Sequence, residues 1–298
     1  MTRTNDKVSF IDLPCHIPLK AAVRGKELGI FQLRKIRRFW ARPSVVVRYC
    51  RSVIPIALAP QYVTPGMPPC WTRYVITRFC AILAQDISHS FLARRAVETD
   101  AAKIFLKYEL RAPSDVALVV GFNQRAQVAQ TATHDLHLLS RAIKQLPAGG
   151  KTAVYDAVAL ASRQLGTIAN NNAPSLKAII LMTDGDDNSS KTSLKEAEEI
   201  AQQNEAVVFA LDSGLESLRN DTAQKNLKSL SQVTGGEYFI ADEEHVREAI
   251  AKVEDELRSQ YAIGYKPAQT KPDGSFHKIS IFVPKKFKVR HREGYFAR

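Results

Sequence analysis

From Arg78 onward, apolar and polar positions alternate in a regular way. Short apolar runs of strand length occur at Phe79–Ala84, Val116–Phe122, Ala126–Gln130, Leu176–Met182, Ala206–Leu211 and Tyr238–Ile240. Between them lie segments with the 3.6-residue period of helices: Ala93–Tyr108, Asp135–Leu146, Val154–Leu165, Leu194–Asn204, Ala223–Val233 and Glu244–Gln260. In the run Leu176–Met182 every residue but Lys177 is apolar, as expected of a central strand covered on both faces. Strands alternating with helices in this order predict parallel βα units. The fold class that follows is α/β: a Rossmann-like, doubly wound, mostly parallel sheet with helices on both faces.

The ends of these segments carry their own chemistry. Ser193 followed by Glu196 has capping-box spacing, the hydroxyl serving a first-turn N–H and the carboxylate reaching back. Gly235–Gly236 stops the helix ending near Val233, and Asn170–Asn172 with Ala173–Pro174 marks a loop before the central strand. After Gln260 the period becomes two. Tyr261–Tyr265, His277–Val283 and Phe287–Arg290 read as strands of a small C-terminal antiparallel β appendage, with a turn at Pro272-Asp273-Gly274. The domain boundaries expected are a basic N-terminal extension over 1–77, the α/β domain over 78–258 and the appendage over 259–298.

Charge sharpens the first boundary. Of 298 residues, with a net charge of +12, the first 80 contain 14 Lys and Arg against 3 Asp and Glu, whereas the remainder is nearly balanced. All four cysteines (Cys15, Cys50, Cys70, Cys80), both tryptophans (Trp40, Trp71) and 8 of the 14 prolines lie in the same stretch. No cysteine spacing fits a zinc or CxxC site, and a chain of this size buries a core without disulfides. Ser44–Val63, the best apolar stretch, is interrupted by Arg48, Arg51, Pro55 and Pro60, so no membrane span is expected. The N-terminus shows no signal peptide, lacking an apolar run after a basic start.

Three separated pieces carry the candidate chemistry. Asp86-Ile87-Ser88-His89-Ser90 follows the first strand, Gly149-Gly150-Lys151-Thr152 lies between two helical segments, and Thr183-Asp184-Gly185-Asp186 ends the central strand. Ligands of open parallel sheets bind beyond the carboxyl ends of the strands, where two of these pieces fall. Asp86, Ser88 and Ser90, at i, i+2 and i+4 of an extended loop, face one point. Thr152 adds a hydroxyl and Asp184 a carboxylate. Few charges and several neutral hard oxygens suit a six-coordinate Mg²⁺ or Mn²⁺ far better than zinc or copper.

This combination resembles the von Willebrand factor A domain and its metal-ion-dependent adhesion site, whose signature is D-x-S-x-S, then a distant Thr, then a distant Asp. Here these are Asp86-x-Ser88-x-Ser90, Thr152 and Asp184, and the resemblance covers about residues 78–258. Arg258-Ser259-Gln260-Tyr261 and Arg292-Glu293-Gly294-Tyr295 are similar to the tail of a bacterial VWFA-related subfamily. The resemblance implies Mg²⁺ or Mn²⁺ as cofactor, held by these five residues. It further implies metal-dependent binding of a protein ligand that offers an Asp or Glu carboxylate, rather than enzymatic turnover. The subfamily is commonly exported.

Rival readings are weaker. Gly149–Thr152 imitates a P-loop, but Gln145 stands where a P-loop places its first glycine, and the residues before the loop have helical spacing. Asp184-Gly185-Asp186 imitates the paired aspartates of a phosphohydrolase; that strand would stand near the start of such a domain, and three strands precede it here. A Mg²⁺-dependent phosphohydrolase or nucleotide hydrolase is therefore the alternative function. Asp186, Asp187 and Asn188 read as a polar turn beside the metal. His134 and His137 are three apart at a helix start with no third ligand near, and so read as a solvated face. Leu33–Trp40 is basic and aromatic without a recognisable binding module, so nucleic acid is not an expected partner. Residues 1–77 resemble neither the export signal nor the β region with which the subfamily begins. They read as a poorly ordered extension or as an aberrant, out-of-frame segment.

Overall fold

A computed structural model describes the strand backbones at 4–8, 17–23, 26–33 and 46–47, and residues 78–88, 95–168, 175–184, 186–214, 220–258, 262–263, 273–281 and 290–297. The chain falls into two compact units, Met1–Val75 with Ser259–Arg298, and Ile76–Arg258. In chain order the elements begin with strands β1 (Thr4–Val8), β2 (Ile17–Val23), β3 (Lys26–Leu33) and β4 (Val46–Val47) of the first unit. The second unit runs β5 (Arg78–Asp86), α1 (Arg95–Glu109), β6 (Val116–Phe122), β7 (Ala126–Thr133), α2 (Leu136–Gln145), α3 (Val154–Ile168), β8 (Ser175–Thr183), α4 (Leu194–Gln203), β9 (Val207–Asp212), α5 (Asp221–Thr234), β10 (Tyr238–Ile240) and α6 (Val246–Arg258). Strands β11 (Ala262–Ile263), β12 (Phe276–Ile281) and β13 (Gly294–Phe296) return to the first unit.

The second unit is a six-stranded sheet in the order β10-β9-β8-β5-β6-β7, parallel except for the antiparallel β6–β7 hairpin at one edge. Alternation along each strand splits the core in two. Ala81 and Leu83 of β5 and Ile180 and Met182 of β8 pack with α1, α2 and α6, through residues such as Phe105, Ile143 and Val253. Cys80, Ile82 and Ala84, with Ile179 and Leu181, pack with α3, α4 and α5, through Val158, Ala197 and Leu227. The central strands are buried on both faces, as their apolar runs predict. On β7, by contrast, exposed and half-buried positions alternate, as suits an edge.

The local signals act as read. Ser193 caps α4 in a full capping box with Glu196, and Gly235 closes α5 in the left-handed conformation. Cys80 is a buried free thiol, and Cys15, Cys50 and Cys70 lie outside the described residues. Among the described residues no helix is long and apolar enough to cross a membrane.

The first unit differs in detail from the expected appendage. Its three-stranded sheet has the order β1-β12-β13, antiparallel between β12 and β13 but parallel between β1 and β12. Strands β2 and β3 form an antiparallel pair. Of the expected strand Phe287–Arg290, only Arg290 is a described residue, and it is not in a strand; the last strand is Gly294–Phe296. A glycine reads as a breaker in a strand pattern, yet Gly294 is required where it stands: a Cβ there would lie 2.3 Å from the His277 carbonyl oxygen of the neighbouring strand.

Candidate metal centre

The carboxyl edge of the sheet has a switch point between β5 and β8. From β5 the chain crosses to α1 on one face, and from β8 to α4 on the other, so the two strand ends open a crevice. Asp86 ends β5. Gln85 pairs in register with Met182, so Asp86 stands beside Thr183, the last residue of β8, and Asp184 follows.

Asp86 is fully buried. One oxygen accepts from the Ser88 N–H at 2.9 Å and the other from the Thr183 hydroxyl at 2.8 Å. Burial is the main cause that pushes its pKa up to about 6; the Ser88 N–H opposes this, and the Asp184 charge adds to it. Two carboxylates that repel each other in a desolvated crevice favour a cation between them.

The loop carrying Thr152 is stitched to the same edge by backbone bonds. Gly149 N–H donates to the Ile87 carbonyl at 2.7 Å, and Ala153 N–H to the Asn123 carbonyl at 2.7 Å. The Asn123 side chain donates to the Gly149 carbonyl at 2.8 Å. Gly149 and Gly150 both take positive φ (119° and 96°), which lets this loop turn tightly into α3. Thr152 itself is buried. It exchanges bonds with Asn188: its N–H donates to the Asn188 side chain at 2.9 Å and its carbonyl accepts from the Asn188 N–H at 3.0 Å.

The segment after β8 thus caps α3. Asp187 accepts from the Tyr155 N–H at 3.0 Å and from the Ser190 N–H at 3.1 Å. In return, Asp156 in the first turn of α3 accepts from Thr192 N–H at 2.9 Å and Lys191 N–H at 3.1 Å. The polar turn read at Asp186–Asn188 is therefore a clamp on the Thr152 loop. Its Asp156 side, the Thr183–Asp86 bond and the Asn123 strut have no local signal in the sequence.

Of the five sequence-predicted residues, Asp86, Ser88, Thr152 and Asp184 belong to segments bonded at this edge, and Ser90 lies outside the described residues. Ser88 and Thr152 are buried and Asp184 is half-buried. The Asp184 Oδ1 is enclosed, with no hydrogen-bond partner among the described residues. A buried carboxylate oxygen without a donor is costly, and a hard dication satisfies it. The described residues contain no group of three or more His, Cys, Asp and Glu placed to hold a metal. Two carboxylates with hydroxyl oxygens and water fit Mg²⁺ or Mn²⁺, which keep several neutral ligands.

Two of the rival motifs, the P-loop and the His pair, lose support in this setting. Gly149–Thr152 follows α2 rather than a strand, and the Gly149 and Thr152 N–H groups are already committed, so the loop is no phosphate cradle. His134 and His137 are exposed, and the His134 ring contacts the Asp115 carbonyl at 3.0 Å.

The profile of the von Willebrand factor type A domain matches residues 101–256, just over half of the 298 residues, and the chain belongs to that family. Domains of this family are generally adhesion or interaction modules, and many bind a divalent metal at a metal-ion-dependent adhesion site. The match contains Thr152 and Asp184 and begins after the Asp86–Ser90 segment.

No curated protein matches the sequence. Among solved structures, a von Willebrand factor type A protein from Catenulispora acidiphila is 21% identical with a TM-score of 0.49, the alignment covering 61% of this chain and 43% of that one. Proximal thread matrix protein 1 from the mussel byssus is 15% identical with a TM-score of 0.50, covering 63% and 50%. The pilus adhesin SpaC from Lactobacillus rhamnosus GG, in an open conformation, is 12% identical with a TM-score of 0.50, covering 63% and 31%. This chain spans half or less of the length of each of these proteins, and for the two with a TM-score of 0.50 the likeness is one of fold.

Proposed function

We propose that this chain is a divalent-metal-dependent protein-binding module of the adhesion type, and not an enzyme. In this reading residues 78–258 form the binding domain, flanked by the basic extension 1–77 and the β appendage 259–298. Asp86, Ser88, Ser90, Thr152 and Asp184 hold Mg²⁺ or Mn²⁺. When bound, the dication supplies a Lewis-acidic coordination position that an Asp or Glu of a partner protein completes. The residues of this chain do the rest. Asp86, fixed by Ser88 and Thr183, provides a carboxylate that cannot swing away. Asn188 and Gly149 keep the Thr152 loop at the same edge. With only two carboxylates among the five donors, the charge of a dication stays incompletely neutralised, which favours an acidic guest.

The observation that supports this reading is the enclosed Asp184 oxygen just past the end of β8, which has no donor among the described residues, next to the strand end that carries buried Asp86. Titration of Mg²⁺ or Mn²⁺ into the purified full chain is expected to give saturable binding that Asp184→Ala abolishes; equal affinity in the two proteins would falsify the reading. A phosphatase and ATPase assay on the same preparation separates the enzyme alternative, which measurable turnover would support.

Thr152→Ala is expected to weaken metal binding while leaving the melting temperature of EDTA-treated protein within a few degrees of the parent. The hydroxyl is removed, but both backbone bonds to Asn188 remain. Calorimetry and thermal melts check this, and a collapse in the melt would reassign the hydroxyl to folding.

A further inference from the structure

Beside the proposed centre, β9 ends in Asp212, paired in register with Thr183 of β8. The next residue, Ser213, donates its N–H to the Thr183 carbonyl at 2.9 Å. Ser213 is therefore the lateral neighbour of Asp184, one strand over. Asp212 is tied down independently: its side chain accepts from the Gly214 N–H at 2.9 Å and from the Tyr238 hydroxyl, and its carbonyl accepts from the Ala241 N–H. The backbone at Ser213 is thus held on both sides.

Ser213 is only 1% exposed, yet its Oγ makes no hydrogen bond among the described residues, and neither does the Oδ1 of Asp184, its lateral neighbour. A buried hydroxyl without a partner is costly and calls for an explanation. The hydroxyl is a donor and the carboxylate an acceptor with two oxygens, so one oxygen of Asp184 can meet the cation while the other accepts from Ser213.

We propose that Ser213 is a positioning residue of the metal centre: its hydroxyl donates to the Asp184 carboxylate when Asp184 takes up a divalent cation. The inference rests on the proposed function. A ligating carboxylate keeps an oxygen that does not face the ion, and a donor there fixes the carboxylate's angle and limits its motion. The hydroxyl therefore has opposite effects in two conditions. In EDTA it is a burdensome buried group, and with metal it is a useful donor.

That sign change separates positioning from ordinary structure. In the full chain, Ser213→Ala is expected to weaken Mg²⁺ binding roughly five- to tenfold by calorimetry. Its melting temperature in EDTA should equal or exceed the parent's, while the Mg²⁺-induced rise shrinks. Ser213→Thr, which keeps the hydroxyl, should restore most of the affinity. Unchanged Mg²⁺ affinity in Ser213→Ala, alongside lost binding in Asp184→Ala, would overturn this inference alone. An equal fall in melting temperature with and without Mg²⁺, or failure to fold, would mark the hydroxyl as structural and overturn it too. Wild-type affinity in Asp184→Ala would instead remove the underlying metal reading.

Discussion

Asp86→Asn is expected to do two opposite things at once: abolish Mg²⁺ binding and raise the melting temperature of the EDTA-treated protein. The side chains have the same shape. The new carboxamide oxygen accepts from the Ser88 N–H, and its NH₂ donates to the Thr183 Oγ, so both anchoring contacts keep a partner. The negative charge disappears, however. In the parent that charge is buried beside Asp184, and its pKa stands at about 6 instead of the ordinary 3.8. The difference corresponds to a penalty on the order of 3 kcal/mol for holding Asp86 ionised. Its removal should raise the melting temperature by roughly 5–10 °C.

The pH dependence has a definite sign. Between about pH 4 and 6 the folded chain keeps a proton on Asp86 that the unfolded chain has already released. Without metal, the parent therefore loses stability as pH rises through this window, with the full penalty above pH 6. The advantage of Asp86→Asn should be greatest at neutral pH and vanish near pH 4. Cation binding needs the proton gone, so Mg²⁺ affinity of the parent should fall as pH drops below 6. Melts in EDTA across pH 4–8, with calorimetry at pH 7.5, test both halves. A variant no more stable at neutral pH would mean that Asp86 is not carrying a buried charge.

The second large effect is expected from a residue that touches no metal. Asp156→Ala removes the acceptor for the Thr192 and Lys191 N–H groups, which closes the loop after β8 onto α3. Burial by itself would raise the Asp156 pKa, but the bonds from Thr192 and Lys191 outweigh it and hold the carboxyl below its usual range. Its contribution is therefore present above the ordinary carboxylate range and is lost on acidification. Loss of the two bonds should cost about 2 kcal/mol. Because the same loop presents Asn188 to Thr152, metal affinity should fall roughly tenfold as well. A variant that is destabilised but binds Mg²⁺ as tightly as the parent would show that the clamp does not position the site.

These two residues illustrate what the sequence makes legible. Asp86 stands out because it follows an apolar run of strand length and begins a motif with period two, both local patterns. The burial of β8 is legible for the same reason, and so are the capping box at Ser193 and the stop at Gly235. Asp156 gives no such signal. Its bonds reach 35 and 36 residues along the chain to backbone N–H groups, and any residue type supplies those. The Thr183–Asp86 bond spans 97 residues and becomes apparent only when β5 and β8 are set side by side. Gly294 is opaque for a related reason: glycine's local preference argues against a strand, and only the carbonyl of the facing strand demands it.

The placement of Asp86 and Asp184 on strands that touch in space but are far apart in sequence has a consequence for how the protein comes into being. A nascent chain that has emerged as far as β7 owns only one of the two carboxylates, and an ion meeting it finds half a grip. Closing so long a loop is slow and entropically costly, and no cation can advance it by binding early. In the proposed reading, metal capture is in this way deferred until β8 has paired with β5, and only a chain that has joined those two strands acquires both carboxylates.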